Sequence, residues 1–247
     1  MTGIETRKSF HQQLDEVREE IIGLAATLVD AIPRGTAALL DSDLEAADYM
    51  IRADDEYDAR SIDVEERCYE LLALQQPMAG DLRKIVAALR IVSDLERSAD
   101  LVTNICKAAR RLHGHVIDAK LRGIIERMSE QAQHLVRTAL DAYAEGDAAL
   151  AGAIDDMDNL LDDLQREFVL AIFDSHSTNR IDLQVAVQLA LVCRFYERIG
   201  DHAVNVGERV RYIVTGWVPE HAGATRFRLG EEARAPGPDA VEETEGR

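Results

Sequence analysis

The chain has 247 residues, enough for one large domain or two small ones, and its 47% apolar residues can form a substantial core. Its formal net charge of −18 repels nucleic acid and anionic lipid at long range, which argues against a DNA-binding module. Only Pro33 and Pro77 precede residue 219, within a stretch rich in Ala, Leu, Glu and Arg. The composition therefore predicts an almost wholly helical protein.

The cysteines and the N-terminal sequence indicate a reducing compartment. Cys68, Cys106 and Cys193 are odd in number and none belongs to a Cys-x-x-Cys pair, so we predict three buried free thiols. The N-terminal residues contain no apolar signal region. No apolar run approaches the roughly 20 residues that span a bilayer. We expect a cytoplasmic protein with no membrane insertion.

Apolar residues recur at helical spacing in six stretches. The first runs from Phe10 to Leu28 and is kinked or ended by Pro33. The second opens at Asp43, a residue type favoured at helix N-caps, and is broken by Pro77. The third ends near Gly114. These three stretches predict three antiparallel helices joined by short connections.

The second set of three helices repeats this order. The fourth helix stops at Gly146, and the fifth begins near Asp147. The sixth begins near Val185 and is closed by Gly216. Residues 217–247 lose the periodicity and are rich in Gly, Pro and Glu, so we predict a disordered C-terminal tail.

An internal repeat relates the two sets. The string Glu-Arg-x-x-Asp-x-x-x-Asn occurs at Glu96–Asn104 and, 101 residues later, at Glu197–Asn205. Helices two and five align at an offset of about 104 residues. We predict an all-α fold of two tandem three-helix bundles, residues 7–114 and 117–216. One continuous six-helix bundle is the alternative, and the sequence does not separate the two.

Four acid-x-x-x-acid pairs occupy equivalent places in the two halves. They are Asp54/Asp58, Glu96/Asp100, Asp158/Asp162 and Glu197/Asp201. The i, i+4 spacing puts both carboxylates of a pair on one helix face. Each pair lies beside a core residue, so two neighbouring helices could present four carboxylates to one spot. Such oxygen-rich sites suit Mg, Mn, Ca and ferric iron.

Other interpretations of these residues remain open. Chance alone would give roughly eight acid-x-x-x-acid pairs in a chain this acidic, so a solvated acidic face is the alternative. His202 adjoins Asp201 and could be a ligand, although we expect an exposed polar side chain. We expect Arg97 and Arg198 to form local salt bridges. A P-loop, a Gly-x-Ser-x-Gly turn and the Glu-x-x-His of di-iron helices are all absent from the sequence.

Two long stretches resemble the PhoU family of phosphate-transport accessory regulators. They are LLALQQPMAGDLRKIVAALRIVSDLERSADLVTNI (Leu71–Ile105) and RFYERIGDHAVNVGERVRYIVTG (Arg194–Gly216). ADDEYD (Ala53–Asp58) is similar to the acidic turn of that family's second helix. The resemblance extends over residues 7–216. The first repeat has ERSAD (Glu96–Asp100) where the family usually has ERIGD, which changes the packing beneath the carboxylates.

The resemblance implies a fold and a role. It implies paired three-helix bundles whose acidic motifs hold metal clusters, of iron or zinc, with magnesium or manganese as alternatives. It implies these ligands: Asp54, Asp58, Glu96 and Asp100 in the first half, and Asp158, Asp162, Glu197 and Asp201 in the second.

The implied function is non-enzymatic. The resemblance implies a negative regulator of the phosphate-starvation response and of phosphate uptake, which links the phosphate ABC transporter to a sensor histidine kinase. We also expect a homodimer. The alternatives are a carboxylate-bridged metal enzyme, a metal store, and a helical adaptor without metal.

Overall fold

The computed structural model describes residues 2–75, 77–178 and 180–217, which contain six α-helices and no strand. The helices are α1 Thr2–Leu40, α2 Leu44–Gln75, α3 Gly80–Arg111, α4 Ala119–Glu145, α5 Ala148–Ser177 and α6 Leu183–Thr215. The predicted all-α fold is confirmed. Of the predicted disordered tail, only Trp217 lies within the described residues.

Aspartates and glycines set most of the helix boundaries. The N-termini of α2, α4, α5 and α6 are capped by Asp43, Asp118, Asp147 and Asp182. Each carboxylate accepts a hydrogen bond from a first-turn backbone N–H that has no partner within its helix. Gly146 and Gly216 end α4 and α6 with φ angles of 67° and 75°, the left-handed region that glycine adopts without strain. The boundaries predicted at Asp43, Gly146, Asp147 and Gly216 are confirmed.

Pro33 does not end the first helix, contrary to one of the expected outcomes. α1 continues through Pro33 to Leu40. A proline inside a helix costs about 3 kcal/mol, mostly through the lost backbone hydrogen bond. Ile32 and Leu39, on either side of it, are fully buried, and each such side chain stabilises the fold by about 1.5–3 kcal/mol. Burial of the last two turns therefore outweighs the cost of the proline.

The six helices form two three-helix units that share one core. Helices α1, α3, α4 and α6 form the inner four, with α1 and α6 each packed against both α3 and α4. Helix α2 covers α1 and α3, and α5 covers α4 and α6. Buried apolar residues of all six helices belong to one continuous cluster. The tandem units are thus fused side by side along α1–α4 and α3–α6.

A buried hydroxyl cluster fixes the two units against each other. The Thr36 hydroxyl of α1 donates to the Ile32 carbonyl oxygen at 2.8 Å. It also lies 2.6 Å from the Ser129 hydroxyl of α4 and 2.7 Å from the Tyr196 hydroxyl of α6. Because Thr36 has one hydroxyl proton, Ser129 and Tyr196 must donate to it. The cluster joins α1, α4 and α6 at one point inside the shared core.

One segment of α1 is long and apolar enough to span a bilayer, contrary to our expectation from the sequence. Residues Phe10–Leu40 of α1 are long and apolar enough to cross a bilayer by length and composition alone. Half of the segment is buried inside the fold. Its apolar side therefore belongs to the core described above.

The three cysteines are free and buried, as predicted. Burial raises the pKa of the Cys106 thiol to about 11 and that of Cys68 to about 12. The thiolate, which is the nucleophile and metal ligand, is therefore disfavoured at neutral pH.

Candidate functional site

The acidic pairs of the first half face each other across α2 and α3. We call Asp54, Asp58, Glu96 and Asp100 the first-half cluster. Burial is the main cause that raises the pKa of Asp54, and the charges of Asp58 and Asp100 add to it. Burial also raises the pKa of Glu96, followed by the charges of Asp100, Asp58 and Asp54. All four carboxylates are therefore close enough to interact.

Two neighbouring groups of α3 partly compensate the first-half cluster. The Thr103 hydroxyl donates a hydrogen bond to the Asp54 carboxylate, and this lowers the pKa of Asp54. The positive charge of Lys107 lowers it further, although burial and the other acids still raise the pKa overall. This cluster thus has a hydroxyl donor and an ammonium group of its own.

The acidic pairs of the second half meet in the same way across α5 and α6. We call Asp158, Asp162, Glu197 and Asp201 the second-half cluster. Burial, followed by the charges of Asp162, Asp201 and Glu197, raises the pKa of Asp158 to about 6. The predicted assembly of four carboxylates therefore exists in each half.

An arginine that the sequence analysis did not single out pairs with this cluster. Arg194 forms an ion pair with Glu197, one turn along α6. Burial and Asp201 still raise the pKa of Glu197, because Arg194 is half exposed and its charge is screened. The i, i+3 spacing of Arg194 and Glu197 is the sequence feature that could have predicted this ion pair. In the first half, the charge of Arg97 lowers the pKa of Glu96, and the salt bridges expected of Arg97 and Arg198 stay predictions.

Glycine allows α5 and α6 to approach closely at the second-half cluster. A Cβ atom at Gly200 would lie 2.7 Å from Leu161 Cδ2 and would clash with Asp158 Oδ1. Two turns further along, a Cβ at Gly207 would lie 2.8 Å from the Ala151 carbonyl oxygen. The Asp158 carboxylate therefore lies directly against the α6 backbone. The first half has Ala99 in place of Gly200.

Two oxygens of the second-half cluster have no hydrogen-bond partner. Asp158 Oδ1 and Glu197 Oε2 are buried and unpaired. Burial of a carboxylate oxygen without a partner is costly, and a hard cation would satisfy both oxygens. Within the described residues, no three His, Cys, Asp or Glu side chains are already arranged around one ion position. Cation binding by these carboxylates therefore stays a prediction.

His202 is not the exposed side chain that we expected. It is buried, with only 6% of its surface exposed. Its Nδ1 lies 2.9 Å from Asp94 Oδ1 of α3, and Asn205 Nδ2 donates to the same oxygen at 3.2 Å. Adjacent residues of a helix point about 100° apart, so His202 faces the other half while Asp201 is exposed beside α5. This contact joins the two halves, and the local sequence contains no sign of it.

The second half also exposes an apolar surface, which we call the hairpin face. It comprises Val169, Leu170, Phe173, Leu183, Val187 and Leu191. Leu170 and Phe173 of α5 are 70% and 69% exposed. Leu183, Val187 and Leu191 follow at i, i+4 spacing along one face of α6. Leu183 lies 18 residues, or five turns, before Asp201, so these two side chains point to the same side of α6.

The first half repeats this apolar surface only in part, because Phe173, Leu183 and Val187 correspond to Tyr69, Leu82 and Val86. At the offsets of the repeat, Val169 and Leu170 correspond to Glu65 and Glu66, and Leu191 corresponds to Arg90. Three of the six positions are therefore charged in the first half, which makes the apolar surface larger in the second half.

A family model described as PhoU domain matches the chain twice, at residues 21–109 and 125–210. The chain belongs to the PhoU family. One match covers most of α1–α3 and the other most of α4–α6, so each half is one PhoU domain. The family and fold expected from the sequence motifs are confirmed.

Curated relatives and solved structures extend over most of the chain. The phosphate-specific transport system accessory protein PhoU homolog 2 of Mycobacterium tuberculosis is 36% identical over 217 residues, 86% of this chain and 100% of that protein. The PhoU homolog of Clostridium acetobutylicum is 31% identical and spans 85% of this chain and 96% of that protein. The crystal structure of PhoU from Pseudomonas aeruginosa superimposes with a TM-score of 0.79 at 28% identity, covering 84% of this chain and 100% of that one. The phosphate transport system regulatory protein PhoU from Streptococcus pneumoniae gives 0.77 at 25% identity, covering 85% and 98%.

Proposed function

We propose that this PhoU protein is a cytoplasmic, non-enzymatic regulator of phosphate uptake. It restrains the phosphate-starvation response when phosphate is abundant, by linking the phosphate ABC transporter to a sensor histidine kinase. The observation that carries this proposal is the PhoU domain match in both halves, with relatives that are named accessory proteins of phosphate-specific transport systems.

The hairpin face supports a docking role. Its six side chains together expose on the order of 500–800 Å² if each large apolar side chain has about 150–250 Å² in all. The largest apolar patch on a typical monomer is about 300–600 Å², and larger ones mark interaction sites. A standard interface buries about 800 Å² per partner. We assign this face to the cytoplasmic ATP-binding part of the transporter, because the relatives are named as transport accessories.

The acidic clusters support cation binding on the same helix faces. The first-half ligands are Asp54, Asp58, Glu96 and Asp100, and the second-half ligands are Asp158, Asp162, Glu197 and Asp201. A bound cation neutralises the carboxylates and crosslinks the two helices that carry them. Iron or zinc is the proposed metal, with magnesium or manganese as alternatives. The four second-half ligands lie on α5 and α6, the helices that carry the hairpin face. Metal binding there would therefore change how the docking surface is held.

We also propose that the protein is a homodimer. Light scattering after gel filtration tests this directly, because a dimer has twice the 27.4 kDa chain mass. A measured mass equal to that of a single chain at every accessible concentration would contradict the homodimer.

The proposed role is tested by transcription in a deletion strain. Phosphate-responsive promoters should be active at high phosphate in the strain that lacks this chain, and repressed when the gene is restored. Normal repression in the deletion strain would contradict the role. Binding of the purified chain to the transporter's ATP-binding subunit, measured with and without Leu170→Glu, tests the docking surface separately.

A further inference from the structure

A groove lies between the two halves, next to the C-terminal ends of α4 and α6. Its volume is about 280 Å³. All four inner helices line it, α1 and α3 from the first half and α4 and α6 from the second. Its apolar lining includes Leu14 and Val17 of α1, together with Val210, Ile213 and Val214 of α6. Val214 is 47% exposed at the edge of the groove. The groove therefore has room for large apolar side chains.

The charged side chains around this groove leave two acids without partners. Arg18 donates a hydrogen bond to a carbonyl oxygen in the last turn of α4, and Lys84 forms an ion pair with Asp81 at 3.8 Å. Asp15 and Glu145 are exposed, and neither has an ion pair within the part of the chain that the structure describes. The rim of the groove therefore suits a ligand that combines apolar side chains with positive charges.

The chain leaves the fold beside this groove. Helix α6 ends at Thr215, one residue after Val214, and Gly216 turns the backbone with a φ angle of 75°. Residues 218–247 follow and lie outside the described residues. The family match ends at residue 210, so family membership does not explain what these residues do.

One stretch of residues 218–247 differs from the rest in charge and in apolar content. Residues 218–247 contain seven acids and four arginines, but no acid lies between residues 221 and 230. We call residues 225–230, Thr-Arg-Phe-Arg-Leu-Gly, the tail segment. It contains the only Phe, Tyr or Trp and the only Leu of residues 218–247, at Phe227 and Leu229. In an extended chain these two side chains point to one side and the two arginines to the other.

The tail segment can reach the groove. The ten residues between Val214 and Thr225 span at most about 33–36 Å, which is ample for a return to a groove that Val214 itself lines. A connection of this length holds the segment near the groove at an effective concentration on the order of mM. Weak individual contacts are therefore sufficient for binding.

We propose that the tail segment binds in this groove of its own chain. Phe227 and Leu229 pack against the apolar lining from α1 and α6, and the two arginines pair with the acids at the rim. The bound segment contacts helices of both halves and closes the groove to other ligands. This inference is independent of the acidic clusters and of the hairpin face.

Photocrosslinking of the full chain tests the proposal. With p-benzoylphenylalanine in place of Phe227, irradiation should link position 227 to residues that line the groove, in a product with the mass of one chain. The same amino acid in place of Val241 is the matched control and should not link to the groove. Peptide mass spectrometry locates the linked residues, and denaturing electrophoresis gives the mass of the product.

Charge reversal at the rim provides a second test that leaves every apolar residue in place. Asp15→Lys with Glu145→Lys should lower the crosslinking yield about 2–30-fold, the range that the loss of two exposed ion pairs corresponds to. Addition of Arg226→Glu with Arg228→Glu to that variant should restore the yield. Circular dichroism shows whether each variant keeps its helical content.

Four results would overturn the inference: no link from position 227 to the groove, an equal link from position 241, a yield unchanged by charge reversal, or a linked product with twice the chain mass. The last result would assign the groove to the tail segment of a second copy. Repression at high phosphate does not enter any of these measurements, so failure here is distinguishable from failure of the regulatory role.

Discussion

At the scale of single residues, Asp158 shows how the fold changes ionisation. Its pKa of about 6 exceeds the ordinary value of 3.8. A carboxyl group with a raised folded-state pKa contributes its full stability below pH 3.8 and loses it as the pH rises through 6. The metal-free protein should therefore gain stability from this group as the pH falls from 7 towards 4.

Asp158→Asn removes that pH dependence. We expect the variant to be more stable than the wild type at pH 7 by about 1 kcal/mol, after allowance for solvent screening of this partly exposed group. The difference should vanish near pH 4. Urea unfolding of metal-free protein at both pH values measures it, with the exposed Asp156→Asn as the charge control. An equal gain in both variants would show that relief of the overall negative charge is the cause.

The acidic residues show what sequence can predict at this scale. The i, i+4 spacing and the repeat placed all eight carboxylates on the correct faces, because helix periodicity is a local property. His202 was predicted wrongly because its position depends on Asp94, which is 108 residues away in the other half. The unpaired oxygens of Asp158 and Glu197 likewise depend on how closely α5 and α6 pack.

At the scale of helices, Gly200 controls the approach of α5 to α6. Gly200→Ala places a methyl group against Asp158 and Leu161 and should destabilise the protein by about 1–3 kcal/mol, as overpacking does. Gly123→Ala in α4 is the matched control, since nothing lies within 4 Å of its Cβ position. That substitution should stabilise by up to about 1 kcal/mol because alanine favours helix. Thermal unfolding distinguishes them, and equal effects would argue against close packing at Gly200.

Helix boundaries were predictable where local chemistry sets them. The Asp43 and Asp147 caps and the Gly146 and Gly216 terminations depend on the backbone of one turn. The end of α1 could not be predicted in this way. Burial of the turns around Pro33 is a tertiary effect, and it outweighs the local penalty of proline.

At the scale of the whole molecule, the shared core predicts cooperative unfolding. The halves contact through α1–α4 and α3–α6, and their buried residues form one cluster. Calorimetry should therefore show a single transition whose van't Hoff and calorimetric enthalpies agree. Two separate transitions would mean that each half folds independently. The repeat alone could not decide this, because it specifies two similar units and not the surface between them.

We propose that the chain regulates phosphate uptake by docking through the second-half hairpin face. The most direct test restores the gene in the deletion strain as wild type, as Phe173→Glu, or as Tyr69→Glu, the equivalent exposed position of the first half. Wild type and Tyr69→Glu should restore repression of phosphate-responsive promoters at high phosphate, and Phe173→Glu should not, at equal protein level and melting temperature. Full repression by Phe173→Glu would contradict the account.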